Sequence, residues 1–187
     1  MAKVRNNIFV RGLNGDLGRQ FYVATSKVTG RTTVSARMDF EKDREPSEAQ
    51  KAHQQAFREA IFYGQSMKGE EIYQIKADGT GKSPYNLAVA DWFHAPEVNS
   101  IDLSEWSGAA GGTVRVWARD DVMVKRVIVR FSDAAGELLE EGAASELGAN
   151  WWSYETRTPM TGAVTVTATA VDLPGNMTEL SREMTVS

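Results

Sequence analysis

The sequence predicts an α+β domain followed by an all-β sandwich. Two observations predict this fold class. Before Pro96, β-like segments surround a clear amphipathic helix, whereas after Pro96 only short alternating runs and turns occur. Seven such runs, separated by turn residues at intervals of about 8–12 residues, are typical of a β-sandwich. We therefore divide the chain into a domain of residues 1–96 and a domain of residues 97–187.

Three segments near the N-terminus are predicted to be strands. They are Ile8–Arg11, Gln20–Lys27 and Thr32–Met38. Each is rich in β-branched and aromatic residues and is bounded by glycine or polar clusters. The sequence Val28–Arg31 suits a hairpin turn between the second and third strands.

A long helix is predicted near residues 47–67. Ser47 and Gln50 form a capping-box pattern, which satisfies two free backbone donors at a helix start. Small and aromatic residues then recur at helical spacing: Ala49, Ala52, Ala56, Ala60 and Tyr63. Such a stripe permits close packing on a sheet or on a neighbouring helix. We favour the sheet, because core packing is the usual reason for an amphipathic helix.

The next segments are predicted to be a strand, a turn and a second helix. The strand covers Glu71–Lys76, and a glycine-rich turn follows it. The second helix covers residues 84–94, with Ser83 as its N-cap and Pro84 at its first helical position. Pro96 ends it.

The seven predicted strands of the second domain follow. They are Ile101–Leu103, Thr113–Ala118, Val122–Phe131, Leu138–Ala143, Trp151–Thr156, Ala163–Val171 and Met177–Val186. In the sixth, valine and alanine alternate with Thr165, Thr167 and Thr169. This alternation is typical of a strand with one buried face and one solvated face.

Four parts of this domain carry a resemblance to a known family. They are Ala118–Val122, Val127–Phe131, Trp152–Tyr154 and Val166–Asn176. They resemble bacterial Ig-like domains, in which an Ala-x-Asp-x-x-Gly-Asn turn closes the penultimate strand and a Trp-x-Tyr strand precedes it. The resemblance implies an Ig-like sandwich that serves as a spacer, stalk or adhesive module of surface or virion proteins. The N-terminal half is faintly similar to small uncharacterised bacterial families, which implies no function.

Composition excludes several classes of protein. The chain has 187 residues, no cysteine and two histidines, which excludes a disulfide scaffold, cysteine-based metal or thiol chemistry and a histidine-rich metal centre. No apolar run approaches the roughly 18–20 residues that span a bilayer. The N-terminus lacks the apolar core of a signal peptide. We expect cytoplasmic synthesis, with the protein in an assembled particle or exported by a route without a signal peptide.

Charge is unevenly distributed. Residues 1–38 hold seven basic side chains and one acidic one, a net charge of +6, whereas residues 98–187 hold seven basic and thirteen acidic ones, a net charge of −6. This asymmetry is typical of a nucleic-acid-binding arm, of surfaces that attract each other between copies, or of a solvated surface without a partner. The charged interface candidates are Arg5, Arg11, Arg19, Arg31, Arg37, Asp120 and Asp121.

The glycine-rich segment Gly79–Ser83 lies where a phosphate-binding loop would lie. That pattern needs a further glycine where this chain has Lys76, and Pro84 removes one amide from the helix start. We therefore interpret the segment as a turn with a helix cap, and we expect no cofactor.

No catalytic or metal site is predicted. Asp91 could orient His94 as a base, but the sequence offers no nucleophile beside this pair. His53 lies within the first helix. Oxygen ligands for calcium sometimes gather in sandwich turns, although Asp and Asn also favour turns for local reasons. The residues concerned are Asp120, Asp121, Asp172 and Asn176. We assign no metal to them and expect a protein that is not an enzyme.

Two adjacent tryptophans are the remaining candidates. Trp151 and Trp152 must face opposite sides of their strand. If one fills the core, the other is available to anchor a protein interface, to stack on a sugar ring or to cover an inter-domain junction.

These observations lead to one favoured function and two alternatives. We expect a subunit that self-associates into a fibre, tube or virion- or injection-type particle, with the Ig-like domain as spacer or display module. The first alternative is an adhesive or carbohydrate-binding module that uses an exposed tryptophan. The second is nucleic-acid binding by residues 1–38, which ranks last because the acidic second half repels the same ligand. The expected partner is another copy of the chain, then another protein or a glycan.

Overall fold

The computed structural model describes residues 2–4, 14–18, 20–26, 29–36 and 45–186. Within them an α+β part is followed by a β-sandwich, so the predicted fold class is confirmed. The contacts divide the chain into two compact units, residues 1–49 and residues 50–187. The domain boundary between residues 96 and 97 stays a prediction. In the described part of the chain, no helix is both long and apolar enough to cross a bilayer.

The first unit contains a four-stranded antiparallel sheet with the strand order β1-β4-β3-β2. Its strands are β1 (Ala2–Val4), β2 (Gly15–Leu17), β3 (Phe21–Thr25) and β4 (Thr32–Ala36). The second and third predicted strands are confirmed here as β3 and β4. The first predicted strand, Ile8–Arg11, lies outside the described residues.

A hairpin turn joins β3 to β4, as predicted. The Ser26 amide donates to the Arg31 carbonyl, and the Gly30 amide donates to the Ser26 carbonyl, both at 2.9 Å. Gly30 has a φ of +64°. This left-handed conformation is accessible to glycine without steric cost, which explains the glycine in the turn.

Three helices follow: α1 (Glu48–Met67), α2 (Glu71–Ala77) and α3 (Pro84–Phe93). The helices predicted near residues 47–67 and 84–94 are confirmed as α1 and α3. The Ser83 hydroxyl accepts a hydrogen bond from the Asn86 amide at 3.2 Å, as expected of the N-cap of α3. Pro84 occupies the first helical position, where no amide donor is needed.

The small residues of α1 pack against a helix at the C-terminal end of the stripe. A β carbon added at Gly64 would lie 2.6 Å from Cγ2 of Val89 on α3. Every residue from 48 to 55 is exposed, and the buried residues of α1 are Ala60 and Gly64. Ala49 and Ala52 of the predicted stripe are thus exposed and Ala60 is buried, while Gly64, which follows the stripe, approaches α3. The packing of the stripe on a sheet stays a prediction.

The strand predicted at Glu71–Lys76 is wrong, because this segment forms helix α2. Its isoleucines and tyrosine have high strand propensity, which misled the prediction. The structure buries Tyr73 completely, whereas Ile75 is 61% exposed. A strand would place these two side chains on one face. Burial of Tyr73 against the neighbouring helices thus overrides local propensity.

Eight strands form the sandwich. In chain order they are β5 (Glu97–Glu105), β6 (Thr113–Arg119), β7 (Val124–Asp133), β8 (Leu138–Ala143), β9 (Ser145–Gly148), β10 (Trp151–Glu155), β11 (Gly162–Asp172) and β12 (Met177–Val186). One sheet has the order β5-β6-β10-β9 and the other β12-β11-β7-β8, and all neighbours are antiparallel.

A single hydrophobic core takes side chains from both sheets. Val114 and Val116 of β6 face it from one side, and Val164 and Val166 of β11 face it from the other, all at most 1% exposed. Trp106 also lies in it. The alternation of apolar and polar residues in the sequence therefore indicates that each sheet has one buried face, as in other sandwiches.

All seven predicted sandwich strands occur, and one strand was not predicted. Strand β9 has four residues, all of them exposed, and it pairs with β10 across an irregularity at Trp151 and Trp152. A short edge strand of this kind has no buried face and therefore no hydrophobic alternation that sequence could reveal.

Candidate functional site

A buried chain of hydrogen bonds links the three helices. Tyr73 of α2 donates its hydroxyl hydrogen to Oδ2 of Asp91 on α3. The hydroxyl of Tyr63 on α1 lies 2.8 Å from that of Tyr73. Because a hydroxyl has one hydrogen, Tyr63 is the donor in this second bond. Tyr73 and Asp91 are 0% and 1% exposed, so water does not compete for either group.

The surroundings of Asp91 favour its neutral form. Burial raises the pKa of Asp91 to about 7, although the hydrogen bond from Tyr73 opposes this shift. The nearby carboxylates of Asp120 and Asp172 raise the pKa of Asp91 further. Oδ1 of Asp91 is buried without a hydrogen-bond partner in the described structure. A buried acid in this position loses its proton near neutral pH.

Asp172 and Asn176 join the last sandwich turn to the end of α3. Oδ1 of Asp172 accepts hydrogen bonds from the amides of Gly175 and Asn176 at 2.7 and 2.6 Å. Nδ2 of Asn176 donates to Oδ2 of Asp172 at 2.8 Å and lies 3.2 Å from the carbonyl oxygens of Trp92 and His94. The Asp-x-x-Gly-Asn pattern thus links the turn between β11 and β12 to the C-terminal end of α3.

An exposed polar cleft of about 520 Å³ lies beside the C-terminal end of α3. Nδ1 of His94 is 2.6 Å from Oδ2 of Asp121, and both side chains are more than half exposed. The residues lining the cleft include Phe93, His94, Glu97, Arg119, Asp120 and Asp121. Oδ2 of Asp120 accepts hydrogen bonds from the amides of Val122 and Met123, both at 2.9 Å. Asp120 therefore shapes the loop between β6 and β7.

The suggestion that Asp91 orients His94 is wrong. Asp91 bonds to Tyr73, and Asp121 is the carboxylate that contacts the imidazole. None of the residues that line this cleft carries a hydroxyl, thiol or amine nucleophile. Among the described residues, no group of three or more His, Asp or Glu side chains could hold a metal ion.

The glycine-rich segment is a turn between α2 and α3. Gly79 and Gly81 have φ angles of +74° and +70°. The Thr80 hydroxyl donates to the Ala77 carbonyl at 2.8 Å. Because Ser83 caps α3 and Thr80 bonds locally, both hydroxyls of the segment serve the turn itself.

The two adjacent tryptophans lie on opposite faces of β10. Trp152 is 7% exposed and packs in the core, so it has no surface for an interface. Trp151 is half-buried on the outer face, where its cross-strand partner on β6 is Trp117. Sequence reasoning did not select Trp117, although its alternation with Val114, Val116 and Ala118 would have placed it on the outer face.

Of the predicted basic residues, Arg5, Arg11, Arg19 and Arg37 lie outside the described residues. Arg31 is exposed at the β3–β4 turn. On the same sheet, Leu17, Phe21 and Tyr22 are 45–54% exposed. The described part of the first unit therefore presents apolar side chains to solvent.

No protein-family model and no curated protein matches the chain. Solved structures with similarity include CopC from Methylosinus trichosporium OB3b, at 18% identity over 49% of this chain and 93% of that chain, with a TM-score of 0.38. A tetra-tandem repeat from the extending region of a large adhesion protein has 22% identity over 50% of this chain and 24% of that chain, with a TM-score of 0.34. A superoxide reductase (neelaredoxin) from Ignicoccus hospitalis has 13% identity over 50% of this chain and 81% of that chain, also at 0.34. Similarity at this level carries no inference about what the chain binds.

Proposed function

We propose that the protein is a non-enzymatic structural subunit that self-associates into a fibre, tube or particle. The observation that carries this proposal is that apolar side chains are exposed on both faces of the N-terminal sheet, with Leu17 opposite Phe21 on one face and Tyr22 on the other. Among the residues of the first unit for which the structure gives side-chain exposure (14–18, 20–26, 29–36 and 45–49), Val23 is the only buried apolar side chain. Leu17, Phe21 and Tyr22, in contrast, are about half exposed.

Burial of these side chains in an interface would stabilise an assembly. Complete burial of one large apolar side chain contributes about 1.5–3 kcal/mol. About half of that remains to be gained at each of the three positions, since each is about half exposed. A small sheet with exposed apolar side chains also gains stability from any surface that covers it.

Charge supports contact between unlike surfaces of two copies. Residues 1–38 have a net charge of +6, and residues 98–187 have a net charge of −6. The basic segment of one copy would attract the acidic sandwich of the next. When two copies join through two different surfaces, each pair still has one free surface of either kind. Further copies can therefore add, and the chain of copies grows unless the rotation between neighbours closes it into a ring.

The order of the strands supports an assignment of the sandwich to the Ig-like class. The orders β5-β6-β10-β9 and β12-β11-β7-β8 correspond to A-B-E-D and G-F-C-C′ of Ig-type sandwiches. Asp172–Asn176 also follows the penultimate strand, where bacterial Ig-like domains carry this motif. In the assembly, a sandwich of this class would act as a spacer or display module beside the surfaces through which copies of the chain join.

Sedimentation velocity and negative-stain microscopy at low and high salt test self-association. We expect large particles that become smaller at high salt, since salt screens exposed charges. A double substitution of Phe21 and Tyr22 by serine should shift the protein towards monomer. Ile75→Ser is the matched control, because Ile75 is 61% exposed on α2. A monodisperse monomer at all concentrations and both salts would contradict the proposal.

A further inference from the structure

Acidic side chains outnumber basic ones on the outer face of the β5-β6-β10-β9 sheet. Arg115 and Arg119 alternate with the buried valines of β6 and therefore point to solvent. At the edges of the sheet, Arg182 and Glu146 add one charge of each sign. The cross-strand register places four acidic residues of β5 and β10 on the same face, which gives its rows a net charge of −2: Glu97, Asp102, Glu105 and Glu155.

The two arginines of this face already have partners. Arg115 and Arg119 each form an ion pair at 2.8 Å with an acidic residue of β5. In contrast, neither Asp102 nor Glu155 forms an ion pair with another residue that the structure describes. These two carboxylates give the face its excess negative charge. A basic partner can therefore neutralise them without displacing an existing ion pair.

The polar cleft beside α3 continues this face. Glu97 and Arg119 belong to the rows of the sheet and also line the cleft. The cleft adds the carboxylates of Asp120 and Asp121. Face and cleft together thus present six carboxylates and two guanidinium groups. We call these eight residues the acidic surface: Glu97, Asp102, Glu105, Arg115, Arg119, Asp120, Asp121 and Glu155.

Aromatic rings border the acidic surface at the cleft. Phe93 lines the cleft and is 42% exposed. Its ring is stacked with that of Phe57 on α1, and the ring centroids are 6.4 Å apart. The planar guanidinium group of arginine pairs with carboxylates and also stacks on aromatic rings. The cleft end of the acidic surface is therefore suited to arginine side chains.

The carboxylates are spread over too great a length to hold one small cation. Arg119 lies opposite Glu97, and Thr113 lies opposite Glu155. These two rows are six residues apart along β6, which corresponds to about 20 Å. A segment of chain with several basic side chains, in contrast, can contact many of the carboxylates at once.

We propose that the acidic surface binds residues 1–38 of a second copy of the chain. This segment has a net charge of +6, and five of its seven basic residues are arginine. Complementary charges steer the encounter of two proteins and determine which surfaces meet. The proposal rests on the self-association proposed above and goes further, because it assigns the contact to one surface of the sandwich.

The outer face of the other sheet fits this segment less well. Its outward-facing rows contain two basic and three acidic residues, and one ion pair of 2.7 Å already joins two of them. The net charge of these rows is therefore −1. The residues are Arg126, Arg130, Glu141, Glu179 and Glu183. This face supplies positions for a control.

Zero-length cross-linking tests the contact in the full chain. A carbodiimide joins a carboxylate to an amine only where the two groups touch, and the segment supplies the amines of Lys3 and Lys27. An equal mixture of isotope-labelled and unlabelled chain separates links between copies from links within one copy by mass. At low salt we expect links between copies, from these lysines to carboxylates of the acidic surface. High salt should remove most of them, since it screens exposed charges.

Charge reversal tests which surface is used. Asp121→Lys combined with Glu155→Lys changes two exposed carboxylates of the acidic surface. We expect sedimentation velocity to show association weakened about tenfold or more. Glu179→Lys combined with Glu183→Lys is the matched control, because it changes the net charge equally on the other sheet. It should weaken association by less than about threefold.

A reciprocal variant tests the segment. Arg11→Glu combined with Arg31→Glu reverses two of its charges, and this variant alone should associate as weakly as Asp121→Lys combined with Glu155→Lys. A mixture of the two variants should associate again, because each then meets a partner of opposite charge. Recovery in the mixture also shows that both variants are folded.

The outcomes separate this proposal from self-association itself. An unsubstituted chain that stays monomeric at all concentrations would overturn both. Assembly that is lost on substitution of Phe21 and Tyr22 but unaffected by Asp121→Lys with Glu155→Lys would overturn the acidic surface alone. Cross-links confined to one copy or to the other sheet would do the same. So would an equal loss in the control, or a mixture that fails to recover although circular dichroism shows both variants folded.

Discussion

Tyr73 of α2 donates a hydrogen bond to Asp91 of α3, and neither side chain is more than 1% exposed. The bond joins two helices at the point where both approach the end of the sandwich. It also holds the carboxyl group of Asp91, which can lose its proton, in a buried position that water does not reach. The stability of the helical part of the second unit therefore depends on a polar contact as well as on apolar packing.

Tyr73→Phe tests the strength of this contact. The substitution removes the donor to Asp91 and the acceptor for Tyr63, while it preserves the aromatic ring. Loss of partners for buried polar groups costs about 1–3 kcal/mol. We expect the free energy of unfolding in urea to fall by that amount. Tyr22→Phe is the control, because Tyr22 is 54% exposed and should show little change. Equal stabilities of the two variants would contradict this assignment.

The raised pKa of Asp91 predicts that the protein loses stability as the pH rises. An aspartate titrates near pH 3.9 in an unfolded chain, whereas burial raises the pKa of Asp91 to about 7 in the folded protein. Between these values the folded state binds more protons. Its extra stability is therefore fully present below about pH 4 and is lost as the pH rises through about 7. The maximum effect is on the order of 4 kcal/mol.

Urea unfolding at pH 5 and pH 8.5 measures this dependence. Asp91→Asn should flatten the difference between the two pH values. Asp172, whose pKa burial also raises, should keep a smaller slope of the same sign. Asp102→Asn is the control, since a hydrogen bond from Ser104 lowers the pKa of Asp102 and moves its contribution to more acidic pH. An unchanged slope in Asp91→Asn would show that other groups control the pH response.

Gly64→Ala tests the close approach of α1 and α3. Alanine normally stabilises a helix by about 1 kcal/mol relative to glycine. At Gly64 the added β carbon would lie 2.6 Å from Val89 and 3.1 Å from Tyr85. We expect a net loss of about 1–3 kcal/mol, as for other overpacked sites. At Gly69 no atom lies within 4 Å of the added β carbon, so Gly69→Ala should be neutral or stabilising in the same thermal melts.

Glu140→Gln tests a buried carboxylate of the sandwich. Burial opposes ionisation of Glu140, but hydrogen bonds from Tyr154 and from the amides of Arg157 and Thr158 lower its pKa overall. A glutamine amide has one acceptor oxygen and presents a donor where a second acceptor is needed. We expect a loss of about 1.5–3 kcal/mol.

The neighbouring residue supplies the control. Glu141 pairs with Arg130 at 2.7 Å, and both side chains are at least 40% exposed. Glu141→Gln should therefore cost less than about 1 kcal/mol, as is usual for exposed ion pairs. Similar losses in the two variants, measured by chemical unfolding at neutral pH, would contradict the structural role of Glu140.

The sandwich could be predicted because its pattern is local. In β11, buried Val164 and Val166 alternate with Thr165 and Thr167, and this period of two is visible without knowledge of any other strand. Helix α1 has a similar local signal in its small residues. Strand β9 has no such signal, since its four residues are all exposed.

The candidate sites depend on contacts between distant residues. Tyr73 and Asp91 meet because α2 and α3 pack together, and no local pattern selects that pair. The face of Trp117 could have been read from its own strand, but its position opposite Trp151 is a matter of register between β6 and β10. Register depends on pairing across the sheet, and a shift of one residue would turn an indole to the other face.

The exposed beginning of α1 implies a gradient of local stability along one helix. Residues 48–55 are exposed on all sides, whereas Ala60 and Gly64 are buried. Most helical stability in proteins comes from burial of an apolar face, and the side chains of these turns are exposed. Amide protons in the first two turns should thus exchange with deuterium through fraying, while those near Ala60 exchange only through larger openings of the second unit. A protease added to the folded protein should cut α1 first near its N-terminal end.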